Sequence, residues 1–162
     1  MYLVGDQAVH PMHGAGRIEA ITQERLAGRW MEYYVFRIAV GGLVLKIPTD
    51  SCEHIGMRAP CSLDEMDVVL HAIPELEVEM TVNWSHRYRE NMERIKSGQP
   101  LEVARVIKGL MWREARRGLS NGERKMLHTA KQILISEVVL VRGVAYQEAE
   151  RRIGEMMMTG VK

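Results

Sequence analysis

Trp84 is followed closely by His86, Arg87 and Arg89 in the stretch TVNWSHRYRENMERIKSG, residues 81–98. Guanidinium groups bind phosphate, and an apolar ring beside them can act as a wedge that unstacks a base step. Asn83 is a good N-cap. It would place Trp84 in the first turn of a helix, at the positive end of the helix dipole, where anions bind. Against this, Trp84, Tyr88, Met92 and Ile95 recur at helical spacing, the pattern of a core-facing stripe. The spacing leaves two readings of the indole open: a core anchor, or a ring displayed to a flat anionic partner.

Other residues with chemical potential are scattered. His10 and His13 in HPMHG are the most ligand-like histidines, but a metal site needs three or four converging donors and Asp6 is the only nearby acid. A turn carrying two polar rings is the expectation. Cys52 and Cys61 form no CxxC pair and read as structural thiols of a reducing cytoplasm. The chain contains no GxSxG elbow, Walker A loop or HExxH motif. Neither an enzyme nor a cofactor is expected. The Met-rich end GEMMMTG reads as a soft binding surface or, more simply, as a helix end packed on its neighbours. Trp30, Tyr33, Tyr34 and Phe36 could line an aromatic cage, but clustered strand aromatics usually form the core of a small barrel, which is the reading preferred here.

These residues need elements to position them. Up to about residue 60 the pattern is that of strands. Tyr34, Phe36 and Ile38 alternate with Tyr33, Val35 and Arg37, HPMHGAG (10–16) reads as a turn, and Gly41-Gly42 as a hairpin turn before LVLKIP. Four or five short antiparallel strands are predicted, forming a small curled sheet or barrel. Beyond residue 60 the period becomes helical. Ser62 and Glu65 have capping-box spacing, as do Ser120 and Glu123. Pro74 ends one helix, Gly98 the next, and Pro100 opens a third that ends near Gly118. A long helix follows Ser120, and a last one spans about 145–158. The fold class is α+β, with a β module at 1–60 and a bundle of four or five helices at 61–162.

Charge divides the same way. The chain has 162 residues and a net charge of +1, but residues 1–72 carry six bases and nine acids, whereas 84–131 carry twelve bases and five acids. From charge alone, the second segment reads equally as a face for an anionic partner or as a solvated helical surface. No stretch looks like a signal peptide or membrane span, so a cytoplasmic protein is expected.

The same residues resemble the CarD-like family of bacterial transcription regulators over roughly 1–141. VGDQAVHPMHGAGRIEAI is similar to the opening V-G-D-x-V-V-Y-P-x-H-G-x-G-x-I/V, with His10 where many members have Tyr. LVLKIP resembles the strand L-x-V/L-x-V/I-P. NWSHRYRENMERIKSG and RGLSNGERKMLHTAKQILISE resemble the blocks N-W-S-x-R-Y-x-x-N and G-L-S-x-G-E-K/R-x-M/L-x-x-A. The β module alone is shared with the transcription-repair coupling translocase; the helical blocks are specific to the regulators.

The resemblance implies a Tudor-like β module that binds the β subunit of RNA polymerase through strand edges. It also implies a helical domain that meets promoter DNA at the upstream edge of the transcription bubble. There a tryptophan wedges into the minor groove and stabilises the open complex, without strong sequence preference. Trp84 falls on the wedge, Arg87 and Arg89 on bases beside it, and Arg124 and Lys125 on bases of the second helical block. His86 stands where many members have Arg. Lys46 falls on the basic residue of the polymerase-binding strand, with Val44 in the same strand. The second basic position of that interface aligns with Glu24, and its neighbour Arg25 is the alternative. A functional monomer is expected. The rival reading is an adaptor whose basic helices meet an acidic protein; salt-sensitive binding to forked rather than blunt duplex separates the two.

Overall fold

The computed structural model describes residues 1–160; the last two positions of the 61–162 segment lie outside the described residues. Four strands form an antiparallel meander: β1 Gln7–His10, β2 Gly14–Leu26, β3 Arg29–Ile38 and β4 Val44–Pro48, in that spatial order. The turn signals are local and act as the sequence suggests. Gly41 and Gly42 both take positive φ between β3 and β4. Ala27 and Gly28 do so between β2 and β3, as a two-residue hairpin turn requires. The period-two pattern sends Tyr34, Phe36 and Ile38 inward to pack with Ala8, Ile18, Ile47 and Cys52. Trp30 does not join them. It lies 67% exposed near the hairpin tip, because β4 covers only Tyr33–Arg37 of β3 and the ribbon projects past it.

A short helix, α1 (Cys52–Ile55), closes the sheet. Five more form the bundle: α2 Leu63–Ala72, α3 Trp84–Lys96, α4 Pro100–Arg117, α5 Asn121–Arg142 and α6 Tyr146–Met157. Ser62 and Glu65 make a complete capping box on α2. Asn83 caps α3 by accepting from the His86 amide. Gly98, at φ 71°, follows its end. The Met-rich terminus packs into the bundle: Met157 is fully buried and its carbonyl accepts from Trp112 Nε1 at 2.7 Å.

α5 is the central element. Every residue from Ile133 to Val138 is buried, including Ser136 and Glu137. A helix buried all round must be enclosed on more than one side. Here α2, α3, α4 and α6 surround one side and β2 lies along the other. Strand and helix meet at close range. A Cβ at Gly14 would collide with Ser136 Oγ, which accepts from the Ala15 amide at 2.9 Å. Met12, in the β1–β2 turn, packs against the helical core.

Candidate nucleic-acid interface

α3 and α5 bring their N-termini together. Trp84 is the first residue of α3, and Ser120 is the N-cap of α5. The indole Nε1 donates to Ser120 Oγ at 3.1 Å, and the same hydroxyl accepts from the Glu123 amide at 3.2 Å. The indole stacks on Tyr88, with centroids 5.1 Å apart and planes 22° apart, and both rings lie over Gly122. Trp84 nevertheless stays 46% exposed. Burial deepens along the α3 stripe, through the half-buried Tyr88 and Met92 to the fully buried Ile95. The stripe is therefore core at one end and surface at the other, and the indole occupies the surface end.

Arg87 departs from the sequence reading. As a phosphate contact it would need to face solvent, but it is 2% exposed. Its Nε donates to Glu123 Oε2 at 2.9 Å, and its other nitrogens donate to Glu123 Oε1 and to the carbonyls of Thr81 and Val82. With its donors spent inside the protein, Arg87 builds the platform and does not extend from it. Glu123 is correspondingly drawn away from the capping box. Ser120 caps its amide, but the carboxylate turns to Arg87. Burial pushes the Glu123 carboxyl up. The hydrogen bond and charge of Arg87, aided by Ser120, outweigh burial and hold it below the usual range. Arg113 brings a second guanidinium within 3.9 Å of the same carboxylate. Ser120, Glu123 and Arg113 escaped sequence reading as parts of the site; the spacing of Ser120 and Glu123 pointed only to a cap.

Arg89, Arg124, Lys125 and His86 are all exposed. None of the first three forms an ion pair among the described residues. Two helix N-termini thus lie side by side, the Glu123 carboxylate between them neutralised, with the unpaired Arg89 in the second turn of α3, Arg124 and Lys125 near the start of α5, and a half-exposed indole at the seam. Helix N-termini and unpaired cations favour anions, and an exposed ring favours a flat apolar partner. Lys108, counted among the twelve bases, is instead buried and donates to the carbonyls of Ile73 and Pro74.

On the sheet, Lys46 and Val44 lie on β4, a sheet edge. Lys46 is exposed and ion-paired with Glu24. The register places Glu24 opposite Met31 and Arg25 opposite Trp30, so Glu24 shares the Lys46 face and Arg25 points to the other. The expectation that Arg25 accompanies Lys46 therefore fails by one residue of register. His10 and His13 lie 4.6 Å apart. Burial, with His13 beside it, pushes His10 down to about 4, and its Nδ1 accepts from the Met12 amide. Among the described residues no three acids, cysteines or histidines are grouped to hold a metal, and no helix is long and apolar enough to cross a membrane.

Comparison with known proteins matches residues 68–154 to the description "CarD, C-terminal domain" and residues 2–59 to "CarD-like/TRCF RID domain". The chain belongs to the CarD-like family. A Bacillus subtilis (strain 168) relative, "Putative transcription factor YdeB", is 32% identical over 148 residues, spanning 91% of this chain and 97% of that one. The solution structure of the 72-residue N-terminal domain of Myxococcus xanthus CarD is 30% identical. It covers 36% of this chain and 79% of its own, with a TM-score of 0.32. The coarse role that accompanies membership of the CarD-like family is transcription regulation.

Proposed function

We propose that this CarD-like protein docks on the β subunit of RNA polymerase through its β module, residues 1–60, and stabilises the open promoter complex through its helical domain. Trp84 is the wedge at the upstream edge of the bubble; Arg89, Arg124 and Lys125 hold phosphates. The observation that carries this reading is the half-exposed Trp84 ring, stacked on Tyr88 and tied to Ser120 where two helix N-termini meet. A core tryptophan would be enclosed, and a passive surface one would not be held by both a stack and a hydrogen bond. Binding should favour forked over blunt duplex and weaken with salt. Equal affinity for both, at every salt concentration, would remove the wedge from the mechanism.

Phosphate contacts have a salt signature. Each lost contact should reduce the slope of log affinity against log salt by about one unit, across sequences. The Arg124→Ala/Lys125→Ala double variant should lose about two units and Arg89→Ala about one, measured by fluorescence anisotropy. An unchanged slope would take these residues off the interface.

Lys46 suits docking because its partner is easily exchanged. An exposed pair such as Lys46–Glu24 contributes only about 0–1 kcal/mol, so the lysine can turn to a carboxylate on polymerase at little cost. Edge strands such as β4 offer main-chain bonds to a partner strand. Lys46→Glu should weaken polymerase binding with the melting temperature nearly unchanged. Undiminished affinity in a titration of the variant would exclude Lys46 from the contact.

A further inference from the structure

Arg58 joins the two halves of the molecule. It sits on the link after α1, where its backbone pairs with Val9 of β1. Its guanidinium donates twice to Glu137 of α5, at 2.7 and 2.9 Å, and its Nε donates to the carbonyl of Gly98 at 2.8 Å. Glu137 is 1% exposed and also accepts from the Cys61 amide at 2.9 Å. Burial pushes the Glu137 carboxyl up, but Arg58 and the Cys61 amide outweigh this and keep it below the usual range. The adjacent residue of α5, Ser136, receives the Ala15 amide, and Gly14 leaves no room for a side chain between strand and helix.

The partners of Arg58 are two rods that end at the wedge. Gly98 follows the C-terminus of α3, whose N-terminus is Trp84. Thirteen helical residues separate them by about 20 Å. Glu137 lies on α5, whose N-cap Ser120 holds the indole, about 25 Å away at 1.5 Å per residue. The rods are tied at one end by Trp84–Ser120 and Arg87–Glu123, and at the other by Gly98–Arg58–Glu137. Of these ties only the second includes the β module, and it acts beside the Ser136–Ala15 hydrogen bond and the packing of β2 along α5. Resting on the docking reading above, we infer that the Arg58–Glu137 tie is a positioning device: it fixes Trp84 in one orientation relative to the surface docked on polymerase, so that docking places the ring at the fork.

Positioning differs from binding in what its loss removes. With the tie broken, the halves are joined by the Ser136–Ala15 contact and β2–α5 packing without the ion pair; each half still binds its own partner, but docking aims the ring less sharply. Misplacement of a working group by as little as an ångström can cost on the order of a hundredfold. The test uses the full chain, as wild type, Arg58→Ala, Glu137→Gln and Arg58→Lys. Residual dipolar couplings report whether the two halves share one alignment tensor. Titrations with RNA polymerase and with forked duplex give the two separate affinities, and competitor challenge gives open-complex lifetime. The wild type should show one tensor and Arg58→Ala two, with both affinities within about twofold and a lifetime shortened about tenfold or more. Glu137→Gln keeps the volume and an acceptor, so it should remain folded and fall between; Arg58→Lys, which keeps charge but loses the fork, should do likewise. Two tensors in the wild type would overturn the inference whatever the protein does to polymerase. So would an Arg58→Ala variant that keeps one tensor, held by the β2–α5 packing alone, or one that is mobile yet equally active. A rigid wild type that leaves lifetime unchanged would instead sink the open-complex reading, and the positioning role with it, leaving a purely structural tie.

Discussion

Arg87→Ala should destabilise the protein by about 3–5 kcal/mol, the cost of removing one partner of a buried ion pair. Glu123, 2% exposed in the intact protein, would keep only Arg113, at 3.9 Å, as a guanidinium partner. The carbonyls of Thr81 and Val82 would each lose a donor. This is a large share of the roughly 5–15 kcal/mol that holds a domain together, and urea unfolding resolves it. A change below about 1 kcal/mol would return Arg87 to the surface. The pair also sets an acid limit. A carboxyl held below its unfolded value of about 4.3 contributes stability that is present above that pH and is lost as pH falls through the folded value. Arg87→Ala should therefore show less additional loss on acidification than the wild type, having already lost that contribution.

Trp84→Ala should do the opposite: little to the fold and much to function. Truncating a buried tryptophan costs about 3–5 kcal/mol. Trp84 is 46% exposed and would forfeit one aromatic stack and one hydrogen bond, together about 1–3 kcal/mol. Stacking on a base contributes about 1–3 kcal/mol, so the preference for forked over blunt duplex should shrink on the order of tenfold. Binding to polymerase should persist. Trp84→Phe and Trp84→Tyr should recover part of the preference, because a flat ring still fills an opened step, while Trp84→Leu should recover less. A variant that unfolds as easily as Arg87→Ala would mark the indole as core and leave the DNA contact to Tyr88 and the free cations.

Features written in local chemistry are legible in the sequence. Ser62 with Glu65, Asn83, Gly98, Pro100 and Ser120 mark helix ends because caps and breakers act within a few residues. Alternation from Tyr33 to Ile38 fixed the inward face of β3 for the same reason. Long-range pairing was not legible. Helical spacing shows that Arg87 and Arg89 lie on different faces, but not that Glu123, thirty-six residues on, takes the first and leaves the second free. Composition cannot separate a displayed base from one donating to carbonyls inside, as Lys108 does. Trp30 looked like core because it neighbours Tyr33 and Tyr34 in sequence, but β4 is too short to cover it. The unbroken burial of 133–138 signals a helix enclosed on both sides, yet only the fold shows that β2 is the second wall.

The most direct measurement is the lifetime of an open promoter complex. RNA polymerase and promoter would be challenged with a competitor in the presence of wild-type protein, Trp84→Ala or Lys46→Glu. The wild type should lengthen the lifetime. Trp84→Ala should bind polymerase yet return the lifetime close to that of polymerase alone, and Lys46→Glu should lose both binding and effect. A Trp84→Ala protein that lengthens the lifetime as well as the wild type does would contradict the wedge.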